Sequence, residues 1–136
     1  HVLALRVAQP LLIRNSDTVG HNTKLGRSIN PISPSLAPGG EAEPYLHEEE
    51  DRQPYQVSCN IHPWMKAFII SRSNGYFDVT DEEGKFKIEN LPAEVDFTIK
   101  VWHEAVGFVN MDVTVNGEEQ SWKSKGVTLR VPQGGE

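Results

Sequence analysis

The chain has a single cysteine, Cys59, so no disulfide can form within it, and cysteine pairing says nothing about its redox compartment. Long apolar runs are also missing. No stretch approaches the roughly 18 apolar residues that a membrane helix needs. Basic residues are outnumbered, 13 Lys and Arg against 19 Asp and Glu, and the formal net charge is −6. That balance argues against nonspecific nucleic-acid binding, which needs a basic surface, and suits a soluble protein that meets a cationic partner. No Ser-His-Asp arrangement, phosphate loop or HExxH motif occurs, and the chain is expected not to be an enzyme. The N-terminus carries no charged-then-apolar leader. It opens directly on strand-like alternation, which suggests a fragment or a start where a longer precursor was cut.

What is present reads as β-structure. A length of 136 residues suits one compact domain. Val2–Val7 alternates, and Leu11-Leu12-Ile13 reads as a buried strand before the turn-like Asn15-Ser16-Asp17. Residues 23–56 are broken by Pro31, Pro34, Pro38, Pro44 and Pro54 and by Gly39-Gly40, so little beyond a short strand near Leu25 and an edge segment near Tyr45 is expected there. Tyr55–Ser58 alternates, and Ala67–Ile70 reads as a fully buried strand. Asp81-Glu82-Glu83-Gly84 signals a hairpin leading into an alternating strand over Lys85–Ile88. Further strands are expected at Phe97–Trp102, Val113–Val115 and Val127–Val131, with Asn116-Gly117 as the turn between the last two. Many short strands with Gly and Pro turns predict an all-β antiparallel sandwich or barrel.

The segment Cys59-Asn60-Ile61-His62-Pro63-Trp64-Met65 carries the chemistry. A thiolate, an imidazole and a thioether stand three residues apart, and a tight loop can turn all three toward one point. Those donors suit a mononuclear copper cycling between Cu(I) and Cu(II), with two His and the Cys in a plane and a long axial Met. The second imidazole must come from a distant strand, and Gly20-His21-Asn22 is the obvious source. Zinc also takes Cys and His, but a thioether is a poor zinc ligand. Taken singly, Cys59 and Met65 read as core residues and His62 as a surface imidazole. The joint spacing favours the metal.

Other histidines weigh less. His47, among Glu48-Glu49-Glu50-Asp51, reads as part of a solvated acidic loop, or else of a docking patch for a basic cytochrome. His103-Glu104 reads as exposed or structural, with a second metal as the alternative. His1, if a true N-terminus, could chelate copper through its amine and ring.

The Cys59–Met65 segment resembles the metal loop of the cupredoxins, in the amicyanin, pseudoazurin and plastocyanin branch, and Asn15–Asn22 resembles the segment bearing their first histidine ligand. The resemblance implies a cupredoxin-like Greek-key sandwich with one type 1 copper held by His21, Cys59, His62 and Met65. It implies that Asn22 ties the two ligand segments together by hydrogen bonds. It also implies that Pro63 and Trp64 form an apolar patch where a redox partner docks, Trp64 as a core residue being the alternative. In simple cupredoxins only one strand follows the loop; here about half the chain does. Residues 78–86 and Asn90-Leu91-Pro92-Ala93 resemble a carboxypeptidase-regulatory-like module, so the expectation is one domain with a metal-binding part over 1–72 and additional strands over 73–136. The whole pattern is similar to cupredoxin-like secreted proteins of planctomycetes. The implied function is a periplasmic or secreted carrier of single electrons, exchanging them with a c-type cytochrome or a dehydrogenase. The alternatives are a copper-trafficking module and a structural β-module with a vestigial loop.

Overall fold

The computed structural model describes residues 1–26, 31–123 and 126–134, and among these the chain is all-β, with no helix. Two compact units divide it, His1–Ile88 and Glu89–Glu136. The part expected to bind metal, residues 1–72, lies wholly in the first.

The first unit contains β1 (Val2–Arg6), β2 (Pro10–Leu11), β3 (His21–Asn22), β4 (Lys24–Leu25), β5 (Ser35–Leu36), β6 (Tyr45–Leu46), β7 (Tyr55–Ser58) and β8 (Lys66–Arg72). Its main sheet runs β1-β8-β7-β4, and β2 with β6 and β3 with β5 form two small pairs. The several small sheets are consistent with a β-sandwich. One pair departs from the expected antiparallel pattern: β1 runs parallel to β8, with Leu5 opposite Ser71. The long excursion from Val7 to Met65 makes this possible, because parallel neighbours need a crossover of a dozen residues or more.

Alternation builds the core. Leu5, Leu25 and Ile69 are buried together, and Leu11, Ile32, Tyr45, Tyr55 and Val57 pack against them. The expectation of a fully buried strand at Ala67–Ile70 is corrected. In β8, Ile69 and Ser71 are buried while Phe68 and Ile70 are half-buried, since successive residues of a pleated strand point to opposite faces. The expected strand Leu11-Leu12-Ile13 also shortens. Only Pro10 and Leu11 pair with β6, and Ile13 is buried while Leu12 is exposed.

Lys85–Ile88 forms no strand, against expectation. Asp78 and Asp81 capture two of its backbone donors: Asp78 Oδ2 accepts the Lys87 N–H at 2.7 Å, and Asp81 Oδ1 accepts that of Lys85 at 2.8 Å, along with that of Glu83 before the segment at 2.9 Å. Carboxylate side chains compete here with the ladder for the same N–H groups.

The second unit contains β9 (Asp96–Ile99), β10 (Trp102–His103), β11 (Gly107–Phe108), β12 (Asp112–Val115), β13 (Glu118–Ser121) and β14 (Val127–Arg130). They pair antiparallel as β9 with β14, β10 with β11, and β12 with β13. Asn116-Gly117 does make a tight turn, with φ of 52° and 85°, as a two-residue hairpin with both central residues left-handed requires. It joins β12 to β13, however, and not to Val127–Val131. Glu118–Ser121 has too few apolar residues to show as a strand in the sequence, and Val127–Arg130 pairs instead with β9.

Candidate metal centre

Two segments of the first unit converge. The first is the turn Asn15–Gly20 running into β3. Asn15 is buried, and its side chain organises the turn: Oδ1 accepts the Asp17 N–H at 3.0 Å, while Nδ2 donates to the carbonyls of Val19, Leu36 and Ala37 at 2.8, 3.2 and 3.0 Å. His21 then pairs with Leu36 across β5, which fixes where its ring emerges. The second segment is the loop after β7. It closes on itself: the Cys59 N–H donates to the Met65 carbonyl at 3.2 Å, and the Met65 N–H to that of His62 at 2.9 Å. Pro63, inside the closed part, has no N–H to satisfy and a fixed φ.

Together these segments bring His21, Cys59 and His62 into one cluster, two members buried and His62 half-buried, with donor atoms all within 4.8 Å of one another. Cys59 Sγ lies 3.9 Å from His21 Nδ1 and 3.7 Å from His62 Nδ1. The two Nδ1 atoms are 2.9 Å apart. A metal at the centre of a plane, with bonds of about 2.0–2.1 Å to nitrogen and about 2.3 Å to sulfur, spaces N and S by about 3.8 Å and the two nitrogens by about 3.5 Å. The sulfur–nitrogen distances already match, and the rings need to part by about half an ångström. Two imidazole nitrogens facing each other so closely also need a proton or a cation between them, because two bare lone pairs repel. The cluster fits a metal ion on both counts.

Electrostatics agree. Burial pushes the Cys59 thiol up, but the backbone N–H of Asn22, the His21 ring and the backbone N–H groups of His62 and Ile61 outweigh it and bring the thiol down to about 6. Cys59 is therefore ready to ligate as thiolate near neutrality. His21 holds a proton more tightly than an ordinary imidazole, first because of Cys59 and then because its Nε2 meets Asp17 Oδ2 at 3.2 Å.

The other expected residues fall around this cluster. Asn22 is buried, and its Oδ1 accepts the Asn60 N–H at 2.7 Å, so it bridges the two converging segments; its Nδ2 donates to Ser33 Oγ at 2.8 Å. Met65 lies beside the cluster, half in solvent at 40% exposure. It lines a cavity of about 330 Å³ together with Cys59, Asn22, His1, Trp64 and Lys66. Trp64 is not core: it is 77% exposed, with its ring 5.2 Å from that of His62. Ile61, Trp64 and Met65 are thus exposed apolar groups next to His62.

Two expectations about other groups change, at His47 and at Asp51. His47 is fully buried, not solvated; its Nε2 bonds the Tyr55 hydroxyl and its ring meets Tyr45 edge-on. In the acidic run Glu48, Glu49 and Glu50 are exposed, as a solvated loop requires, while Asp51 is not. Asp51 is buried and accepts the Ser71 N–H at 2.8 Å, and Glu50 pairs with Arg72 at 2.6 Å and takes the Ser73 hydroxyl. His103 is exposed, as expected, and its Nδ1 accepts the Ala105 N–H at 3.2 Å. Among the described residues, only the His21-Cys59-His62 group gathers three such donors.

The sequence reading missed Asp17 and Asn15, which it took only for turn formers. The signal was there in their spacing: a carboxylate four residues before a candidate ligand, with an Asn two residues earlier to shape its turn.

Compared with known proteins, the chain matches no family model, no curated protein and no solved structure. A cupredoxin-like reading of the site thus rests on its residues alone. The all-β fold and the His21-Cys59-His62 cluster beside Met65 are compatible with it.

Proposed function

We propose that this chain is a type 1 copper protein that carries single electrons between redox partners outside the cytoplasm, in the periplasm or after secretion, and transforms no substrate itself. The observation that carries the reading is the mutual spacing of Cys59 Sγ, His21 Nδ1 and His62 Nδ1 at one point, each from a locally fixed segment. Met65 beside them supplies the soft fourth donor that favours copper over zinc.

Bound at this point, copper supplies one-electron chemistry between Cu(I) and Cu(II). The chain's own residues make that exchange easy. The closed loop and β3 hold the donor atoms in nearly one arrangement, so little rearrangement accompanies a change of charge. Cys59 ligates as a thiolate through which electron density reaches the protein. His62, half-buried and edged by exposed Ile61 and Trp64, offers the route by which an electron leaves. A small apolar patch there supports brief, weak docking of a partner such as a c-type cytochrome or a dehydrogenase. The net charge of −6 favours a cationic partner.

Loading the purified protein with Cu(II) should produce the intense blue absorption of thiolate charge transfer, and a narrow parallel hyperfine splitting in its electron paramagnetic resonance spectrum. Cys59→Ser should abolish both. A colourless Cu(II) form of the intact protein overturns the reading.

The exposure of Met65 and the open cavity beside Cys59 favour one second reading: a copper-trafficking module that holds Cu(I) and passes it on. Electron self-exchange separates the two. Fast exchange supports the carrier; sluggish exchange with tight Cu(I) retention supports trafficking.

A further inference from the structure

The two imidazoles of the cluster are held in different ways. His21 has an anion behind it, since its Nε2 lies 3.2 Å from Asp17 Oδ2. That carboxylate is itself fixed: Asp17 Oδ1 accepts the Thr18 N–H at 2.7 Å, and the Asp17 backbone N–H is held by buried Asn15. His62 has nothing comparable. Its ring rests beside Trp64, its Nδ1 faces the cluster, and no side chain among the described residues hydrogen-bonds its Nε2.

A histidine has two nitrogens and, when neutral, one proton. A carboxylate at Nε2 keeps the proton on that nitrogen and leaves Nδ1 as a bare lone pair. Here Nδ1 is the atom that faces Cys59 and His62. The anion also pushes electron density into the ring and makes it a stronger donor, more so to a doubly charged ion than to a singly charged one.

We propose that Asp17 is a positioning residue of the metal centre. It locks His21 in the tautomer that presents Nδ1 to the ion, and its charge holds the reduction potential of bound copper down. This rests on the metal-centre reading above. Asn15 serves as the strut, since it fixes the turn from which the carboxylate reaches back to the ring. The pair gives the centre one anchored imidazole, His21, and one held only by its loop and by Trp64.

The test uses the full chain and three variants. Asp17→Ala removes both the acceptor and the charge. Asp17→Asn keeps an acceptor oxygen and removes the charge. Asp17→Glu keeps the charge on a longer stem. In the metal-free protein, nitrogen-15 shifts of the His21 ring report its tautomer. The wild type should hold the proton on Nε2, and Asp17→Ala should show a mixture. Zn(II), a probe without redox chemistry, should bind Asp17→Ala about 10–100-fold more weakly.

With copper, Asp17→Asn should raise the potential. A tenfold greater loss of Cu(II) than of Cu(I) affinity corresponds to about 59 mV. Asp17→Glu should restore much of the wild-type behaviour, which a merely structural loop residue has no reason to do. The proposal is overturned if Asp17→Ala and Asp17→Asn keep the wild-type tautomer and bind Zn(II) within about twofold of it. Those two measurements need no copper colour. If the intact protein fails to form a blue centre, the electron-carrier reading falls, and the tautomer and Zn(II) results still decide the role of Asp17.

Discussion

The first unit, residues 1–88, buries side chains completely; the second, residues 89–136, buries none of its described residues beyond the half-buried level. Leu25, His47 and Ser71 are sealed from solvent in the first. The second shows strands that alternate only between half-buried and exposed, as in β9 and β14. The His21-Cys59-His62 cluster belongs to the unit with the core. The reason is physical: a site whose donor atoms must sit within a few tenths of an ångström of their places needs segments that cannot drift, and close packing supplies that rigidity.

Metal loading gives the largest test of this contrast. An ion that binds only the folded state stabilises it by about 4 kcal/mol at a free concentration a thousandfold above its dissociation constant. Hydrogen exchange should therefore slow strongly at β3, β4 and β7 on loading, and not at β12 and β13. Equal slowing in both units breaks the assignment of the site to the first alone.

A core deletion should come next. Leu25→Ala removes a side chain of 0% exposure from the centre of the cluster with Leu5 and Ile69, and should cost about 2–5 kcal/mol in urea unfolding. Leu129→Ala, at a half-buried position of β14, should cost about 1 kcal/mol, since little cavity is left behind. Similar values for the two erase the distinction between the units.

The site and the fold were not equally legible in the sequence. That Cys59 and His62 come together was legible because their donors are rare residue types at loop spacing, with Met65 as their neighbour, and His21 because a strand end was the place for it. Asn22 followed from resemblance, and it does bridge the segments. Strands with strong apolar alternation, such as Tyr55–Ser58, were also readable. Asp17 was not, because a carboxylate in an Asn-Ser-Asp turn looks the same whether it caps a turn or orients a ring. Lys85–Ile88 misled because alternation reports only which faces a strand could offer. The carboxylates of Asp78 and Asp81, several residues upstream, decided where its N–H groups went. His47 was misplaced because four acidic neighbours suggested solvent, whereas the Tyr45 and Tyr55 rings enclose it.

Thiol chemistry sharpens the comparison at the site itself. In the metal-free protein, alkylation of Cys59 should rise with pH through a midpoint of about 6. In urea the midpoint should move to that of a free thiol, about 8.5. The difference arises from the backbone N–H groups and the His21 ring that outweigh burial in the folded chain. A folded midpoint near that of the free thiol means those donors do not reach the sulfur.

The smallest effect lies at the edge of the first unit. Asp78 is exposed, and its carboxyl is held below the usual range, chiefly by the Lys87 N–H and then by that of Val79. The unfolded chain thus binds this proton more readily than the folded one. Its contribution to stability is present above the unfolded carboxyl's pKa of about 3.9, and is lost as pH falls through the lower folded value. Asp78→Asn keeps an oxygen for Val79 but presents an amide where Lys87 needs an acceptor. It should lower the urea midpoint slightly at neutral pH and flatten its decline in acid. If the variant's decline below about pH 4 runs parallel to that of the wild type, the two N–H groups do not hold the carboxylate in solution. The segment from Asp78 to Ile88 would then be free to take up the alternating strand that its residues suggest.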